Sequence, residues 1–507
     1  MPHDRTYDPY TNRNVAKPIS EIGAFILLVK CIIGTGVLAM PLAFSYSGTV
    51  LGIVLLTLTS IVFIHGIHML IYSMVECSRR AKVGYTSLPE AMVYSFSQGP
   101  KFFKYISKGA GLVGNVVLCL SAYLVCVVYL VFVAVNTKML VERYFPAIDR
   151  RLYILIIGLV SIPPFCIMHL KYLIPFNFVA NILIYSAFAM MSVYIAQDLP
   201  PLSDRNTFGD IAELPFFFIR VFFSVTSVGV LLAIEKKMSK PKNFLVWYGV
   251  VNSAFLLVII SYVLFGFFGY WRYGEFVEAP ITLNLPHEPL AMAILIAFTV
   301  DVFLSIPLCG FVVIDIIMTH FWNKNGNLKH PLLKELVLRI CFMMLATLNA
   351  VVLPDLKPFV GAFTISLLNL IFPAFLEICL YYPREYTYGK LKWKLVKNIL
   401  MIIFGLYVLI QGITIASSNI VRFYGGKPQT TTESSKPAPE MESTAANESA
   451  LITIPGFYLI KILGTMPQIT TESLKPAPEM ESTAANESAL ITFKTTEPSE
   501  DYAIEFL

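Results

Sequence analysis

The stretch KCIIGTGVLAMP, Lys30 to Pro41, sits inside an apolar run, 22–46, long enough to cross a hydrocarbon core ~30 Å thick. A helix exposed to lipid keeps its backbone hydrogen-bonded to itself, because each unsatisfied amide in hydrocarbon costs several kcal/mol. Gly34, Thr35, Gly36 and Pro41 instead invite a break. Irregular backbone at that depth survives only against protein or a water-filled cavity, and carriers of small polar solutes use such broken helices near the bilayer midplane. Close packing of two helices through small residues is the other reading of the same glycines.

Working outward, the chain has 507 residues, 56% of them hydrophobic and only 14% charged. That composition excludes a soluble globule. Spans are expected at 22–46, 49–75, 109–137, 152–168, 173–197, 215–235, 246–270, 290–317, 334–353, 356–381 and 396–420, about eleven in all. The polar start MPHDRTYDPYTNRNVAKP shows no small-residue cleavage site, so the first span reads as a retained helix after a short segment, 1–21. Lys and Arg crowd alternate loops, roughly three to one, which places the N-terminus in the cytosol and the C-terminus outside or in a lumen. The net charge of +5 is mostly this loop excess and does not argue for nucleic acid. The eight cysteines lie in spans or near their inner ends with no CxxC pair, which speaks against an outer disulfide framework or a zinc site.

The spans, 22–420, read as one transmembrane domain. The inner stretch YTSLPEAMVYSF is expected to form a short interfacial helix. The tail, 421–507, differs: TTESSKPAPEMESTAANESALIT (431–453) returns at 470–492 with Ser435 replaced by Leu474. Sequence so rich in Ser, Thr, Pro and Glu buries too little apolar surface to fold, so disorder is expected. Asn447 and Asn486 open glycosylation sequons on the outer side.

Several motifs resemble the proton-coupled amino acid transporters of the amino acid/auxin permease family, especially its divergent insect members. Lys30 to Pro41 is similar to that family's K-x-x-I-G-T-G-x-L-x-x-P pattern, and FIHGIHMLIYSM places the family's signature histidine on His65. CVVYLVF, LIPFNFVANI, IEKKMSKP, GYWRYGEFVEAPITLNLP and FVGAFTISLLNLIFPAFLEI extend the likeness over about residues 20–420. The resemblance implies an all-α membrane protein of the LeuT-like type: a 5+5 inverted repeat plus one extra helix, with helices 1 and 6 broken at the substrate. The sixth span does soften midway, at Ser224, Thr226, Ser227 and Gly229. Paired interruptions in two halves are the best sequence pointer to a midplane site.

A zwitterion needs an anion site and a cation site. The amides that follow Gly34, Thr35, Gly36 and Val37 suit a carboxylate, and carbonyls freed at both breaks, with Ser224, Thr226 and Ser227, suit an amine. Ser305 could contribute, although a hydroxyl bonded to its own helix is the simpler reading. His65 is the candidate for proton coupling, since an unperturbed imidazole titrates near ~6.5. His68 is expected only to pack. Lys30, Glu235 and Arg220 are the gating candidates, although snorkelling to the interface is the simpler reading of Lys30 and a solvated end charge the other reading of Glu235. The family commonly has an acidic residue in span 6 where this chain has Thr226. Asp301, a costly mid-membrane carboxylate, is expected to pair with Arg220 or to take over the missing acid's role in coupling.

The function expected from all this is secondary active transport of small neutral amino acids with protons, at the plasma membrane or a lysosomal or late endosomal membrane. The partners are then the substrate, protons and the lipid bilayer, with no cofactor and no nucleic acid. An amino acid sensor with little flux and a sodium-coupled carrier are the alternatives. No paired catalytic acids, metal-ligand cluster or serine–histidine motif points to an enzyme.

Overall fold

A computed structural model describes residues 7–15, 17–197, 199–225, 228–286, 288–322, 330–352, 357–382 and 392–424. Ten of its helices are long and apolar enough to cross a membrane. The described residues form helices joined by turns, with a single isolated bridge between Ile19 and Met238. The chain divides into a unit of residues 1–436 and a second of residues 437–507. Residues 425–507, which include both copies of the repeat, Asn447 and Asn486, lie outside the described residues.

Local chemistry sets many of the boundaries. Helix α1 (Glu21–Ile32) opens on Ser20, whose hydroxyl accepts from the Gly23 amide at 3.1 Å. After a break comes α2 (Met40–Ser47), with Pro41 in its first turn, where a missing N–H costs nothing. Gly48, at φ 79, turns the chain into α3 (Thr49–Ala81). The outer loop seals that turn: the Gly209 amide donates to the Ser47 carbonyl and the Thr49 amide to the Asn206 carbonyl. The expected interfacial helix is α4 (Leu88–Gln98), started by a capping box between Ser87 and Glu90.

Helix α5 (Lys101–Val141) runs well beyond its expected span. The expected fourth span, 152–168, instead appears as two short helices, α6 (Arg150–Val160) and α7 (Ile162–Phe165). Pro163 and Pro164 explain the division, since neither can donate the amide bond that would continue the helix. The chain continues through α8 (Leu170–Ala196), α9 (Leu214–Ser224), α10 (Val228–Lys237), α11 (Val250–Tyr273) and α12 (Pro289–Ile316). It ends in α13 (Pro331–Val352), α14 (Lys357–Thr364), a π-helical stretch Ile365–Ile371, α15 (Phe372–Tyr381) and α16 (Trp393–Tyr424).

The packing is concentric. Helix α12 lies against α5 and α8, while α1 and α2 both lie against α11. The windows around α1–α2, α5, α9–α10 and α15 are 72 to 78% buried, whereas those of α13 and α16 are 33% and 28% buried. The helices around the α1–α2 and α9–α10 junctions therefore occupy the centre together with the long α5, while α13 and α16 face outward.

Candidate functional site

Helix α1 stops at Ile32, Ile33 and Gly34 are extended, and the chain resumes as a tight 3-10 turn, Thr35–Ala39, that leads into α2. The glycines are required by crowding. A Cβ on Gly34 would stand 2.5 Å from the Tyr129 hydroxyl, and one on Gly36 would overlap the Cα of Ser224. Two backbones thus meet here with no side chain between them. Helix α9 ends at the same place, on Ser224, and α10 begins at Val228. Tyr262 of α11 joins the two ends: its buried hydroxyl is 2.8 Å from the Ile32 carbonyl and 2.7 Å from the Ser224 carbonyl. A hydroxyl has one proton, so the two carbonyls share it. Of the expected binding residues, the structure gathers Gly34, Thr35, Gly36, Val37 and Ser224, and among the described residues the buried Thr35 hydroxyl has no hydrogen-bond partner. Thr226 and Ser227 lie outside the described residues. A cavity of about 20 Å³ flanks the break, lined by Cys31, Ser121, Val228, Cys309 and Thr364 among others.

Lys30 does not snorkel. The first span runs Glu21–Ser47, so Lys30 lies within one turn of its midpoint, and its side chain is 1% exposed. Its ammonium donates to the Ile33 carbonyl at 3.1 Å and to Asp301 Oδ2 at 2.8 Å. The other carboxylate oxygen is 2.7 Å from the ammonium but off the donation axis, an ionic contact only. Asp301 is thus paired with Lys30 and not with Arg220. The reason is helix placement: α12 packs on α1, while Arg220 in α9 lies over the Tyr46 ring at 4.7 Å and donates to its own helix at Phe216. Ser305 bonds the Asp301 carbonyl one turn back, as a helix hydroxyl commonly does.

Glu235 is an ion-pair residue and not a solvated end. It is 2% exposed and holds Arg13 at 2.9 Å. Arg13 is sandwiched by the rings of Tyr10 and Tyr85, at 5.3 and 4.9 Å. The segment carrying it straps the end of α10: the Ile19 amide donates to the Lys237 carbonyl, and the Ser239 amide to the Ile19 carbonyl, both at 2.9 Å. Beside it, Lys236 pairs with Asp315 at 2.8 Å.

Residues 17–418 match the sequence model of the family described as transmembrane amino acid transporter protein. The chain belongs to that family. Its members are transporters and not enzymes, and transport of amino acids across a membrane is its function. The chain is 32% identical over 431 residues to the proton-coupled amino acid transporter-like protein pathetic of Drosophila melanogaster, covering 82% of this chain and 89% of that one. It is 27% identical over 194 residues to the probable amino acid transporter skat-1 of Caenorhabditis elegans, covering 36% and 42%. Among solved structures, MhsT in complex with L-phenylalanine aligns at a TM-score of 0.49 and 14% identity, covering 79% of this chain and 100% of that one. Inward-facing Mhp1 aligns at 0.46 and 13% identity, covering 83% and 97%.

In this transporter His65 lies apart from the helix breaks, on an exposed side of α3. Its Nε2 is 3.0 Å from the Lys397 ammonium, which also holds Glu377 at 3.0 Å. Helices α3, α15 and α16 are joined by that chain of three groups. His68 contacts Asn252 at 2.9 Å and packs on Tyr72. Sequence reasoning missed Tyr129, Tyr262, Arg13, Glu377 and Lys397. Tyr129 lay within the quoted CVVYLVF motif, and Lys397 counted only as an inner charge. Tyr262 carried no signal that set it apart from the other hydroxyls of its apolar span, such as Ser261 and Tyr270.

Proposed function

We propose that this transporter carries small neutral amino acids together with protons by alternating access. The observation that carries the reading is the shared Tyr262 hydroxyl, which draws the ends of two interrupted helices to one point. Interruptions that meet near the midplane are where carriers of this kind hold their substrate. The substrate carboxylate faces the amides that open the Thr35 turn, with the Thr35 hydroxyl as a further contact. The amine faces carbonyls at the end of α9, with Ser224, Thr226 and Ser227. The close approach of Gly34 to Tyr129 and of Gly36 to Ser224 supports a small side chain.

Coupling is assigned to Asp301 and His65, with Lys30, Glu235 and Arg220 in gating. An ammonium already fills the nest of one carbonyl and one carboxylate at the break, where a metal cation would otherwise be welcome. That supports protons over sodium. A proton taken up by the Asp301 carboxylate removes the counter-charge of Lys30 and loosens its hold on Ile33, at the hinge of α1. His65 is the second coupling group, since an imidazole is the side chain whose unperturbed charge change falls near ~6.5. The charged loop faces support a cytosolic N-terminus and an outer or luminal C-terminus, with sequons Asn447 and Asn486 on the glycosylated side. The membrane is the plasma membrane or that of a lysosome or late endosome.

Uptake of labelled glycine, alanine and proline, measured at external pH about 5.5 and about 7.5 with and without sodium, tests the reading. Acid-stimulated, sodium-independent uptake is expected. Uptake that needs sodium would overturn proton coupling, and binding without accumulation would replace the carrier with a sensor.

A further inference from the structure

The Lys- and Arg-rich face of the molecule holds a second cavity, of about 180 Å³, where the N-terminal segment meets α8, α10, α12 and α13. Its two carboxylates are already engaged. Asp315 holds Lys236 at 2.8 Å, and Glu335 accepts from Arg339 at 2.7 Å. Arg339 is itself buried and donates a further bond to the Phe165 carbonyl at 2.9 Å. Lys17, Lys171 and Lys237 also line the cavity, one from each of three separate elements. Among the described residues none of the three is paired with a carboxylate. Lys17 lies over the Tyr172 ring at 5.4 Å and is held at φ 53, a backbone conformation uncommon for a residue with a side chain.

Three lysines with no carboxylate partner among the described residues line one cavity, and an anion bound between them offsets their like charge. His169 at the cavity responds to the same field: burial first, then Lys17, pushes its imidazole below the ordinary value, with Glu335 opposing and Lys237 and Arg339 adding. A carboxylate has two oxygens and suits a single planar fork, whereas a phosphate monoester offers three acceptors and close to two charges. Basic pockets between membrane helices hold phosphorylated lipid headgroups in this manner. The surroundings suit acyl chains as well as a headgroup: Leu332 and Leu333 at the start of α13 are 67% and 60% exposed, and Tyr172 is 53% exposed.

The geometry points to a binding site for a phosphate-monoester anion, as presented by a phosphoinositide headgroup, held by Lys17, Lys171 and Lys237. A bound headgroup ties the N-terminal segment to α8 and α10, the elements whose inner ends close the molecule on this face. That the face is cytosolic rests on the transport reading above. The binding chemistry does not.

The test is thermal melting of the purified full-length protein in neutral detergent, titrated separately with a short-chain phosphatidylinositol bisphosphate, soluble inositol trisphosphate and inorganic phosphate. Stabilisation by the short-chain lipid is expected, weakened about tenfold or more in apparent affinity by Lys171→Gln with Lys237→Gln. Lys101→Gln with Lys104→Gln, exposed on α5 and outside this cavity, should leave it unchanged. Equal stabilisation by inositol trisphosphate or phosphate would uphold the site and assign it to a free anion. If the double variant is not recovered folded, Lys17→Gln with Lys171→Gln, both exposed, replaces it. No stabilisation by any of the three, or the same stabilisation in the cavity variant, would overturn the site. Because melting is read without flux, failure here leaves the transport reading standing, and failed uptake leaves this one standing.

Discussion

Lys30 and Asp301 form the pair on which the centre depends. Both are essentially inaccessible, so each neutralises a charge that the other could not leave uncompensated. Removing one partner of such a pair costs about 3–5 kcal/mol, while replacing both with apolar groups is often tolerated. Lys30→Met and Asp301→Leu are each expected to lower the melting temperature sharply, and the double variant to recover most of the loss. Coupling is separable from this, since Asp301→Asn keeps the shape but not the titration. Uptake by that variant should lose its acid stimulation, and retained stimulation at normal surface level would remove Asp301 from coupling. Gly36→Ala drives a methyl into the Ser224 backbone, which cannot yield as a flexible side chain could. It should reach the surface yet lose uptake by on the order of tenfold or more, because the two helix ends are forced apart.

At the scale of elements, the N-terminal segment acts as a strap. Arg13 reaches Glu235 across 222 positions of sequence, and the Ile19 backbone clips onto the chain around Lys237. Together they fasten the C-terminal end of α10. Arg13→Ala leaves Glu235 buried and unpaired, and Glu235→Gln on the same background removes the stranded charge. The double variant is expected to melt above Arg13→Ala alone, with a coupling energy of about 1–3 kcal/mol by double-mutant cycle. Purely additive losses would show that the strap holds through its backbone bonds alone. The division of the expected fourth span into α6 and α7 has an equally local cause. Pro163 and Pro164 were visible in the sequence, but an apolar run by itself does not say whether the chain bends within it.

For the whole molecule, the proposed proton coupling turns on which charged cluster takes up the proton. The structure holds two candidate routes, Lys30–Asp301 at the breaks and His65–Lys397–Glu377 linking α3, α15 and α16. His65→Ala should abolish acid stimulation of uptake at unchanged surface level if the His65–Lys397–Glu377 cluster carries the proton. Full pH dependence in that variant would assign the proton to the central pair.

The sequence by itself determined that the chain crosses a membrane many times and where most spans lie, and it offered break points in the first and sixth. Those properties follow from hydropathy, from glycine and proline weakening a helix, and from cap residues such as Ser20 and Ser87, all of which act within a few residues. It also required that Asp301 have a partner, because a lone carboxylate at that depth is too costly. Which partner was decided only by the tertiary structure. Arg220 and Lys30 are equally good cations on paper, and only the packing of α12 against α1 selects Lys30. The same holds for Tyr262, Arg13 and Lys397, whose roles depend on carbonyls and charges brought close by helix packing rather than by sequence spacing.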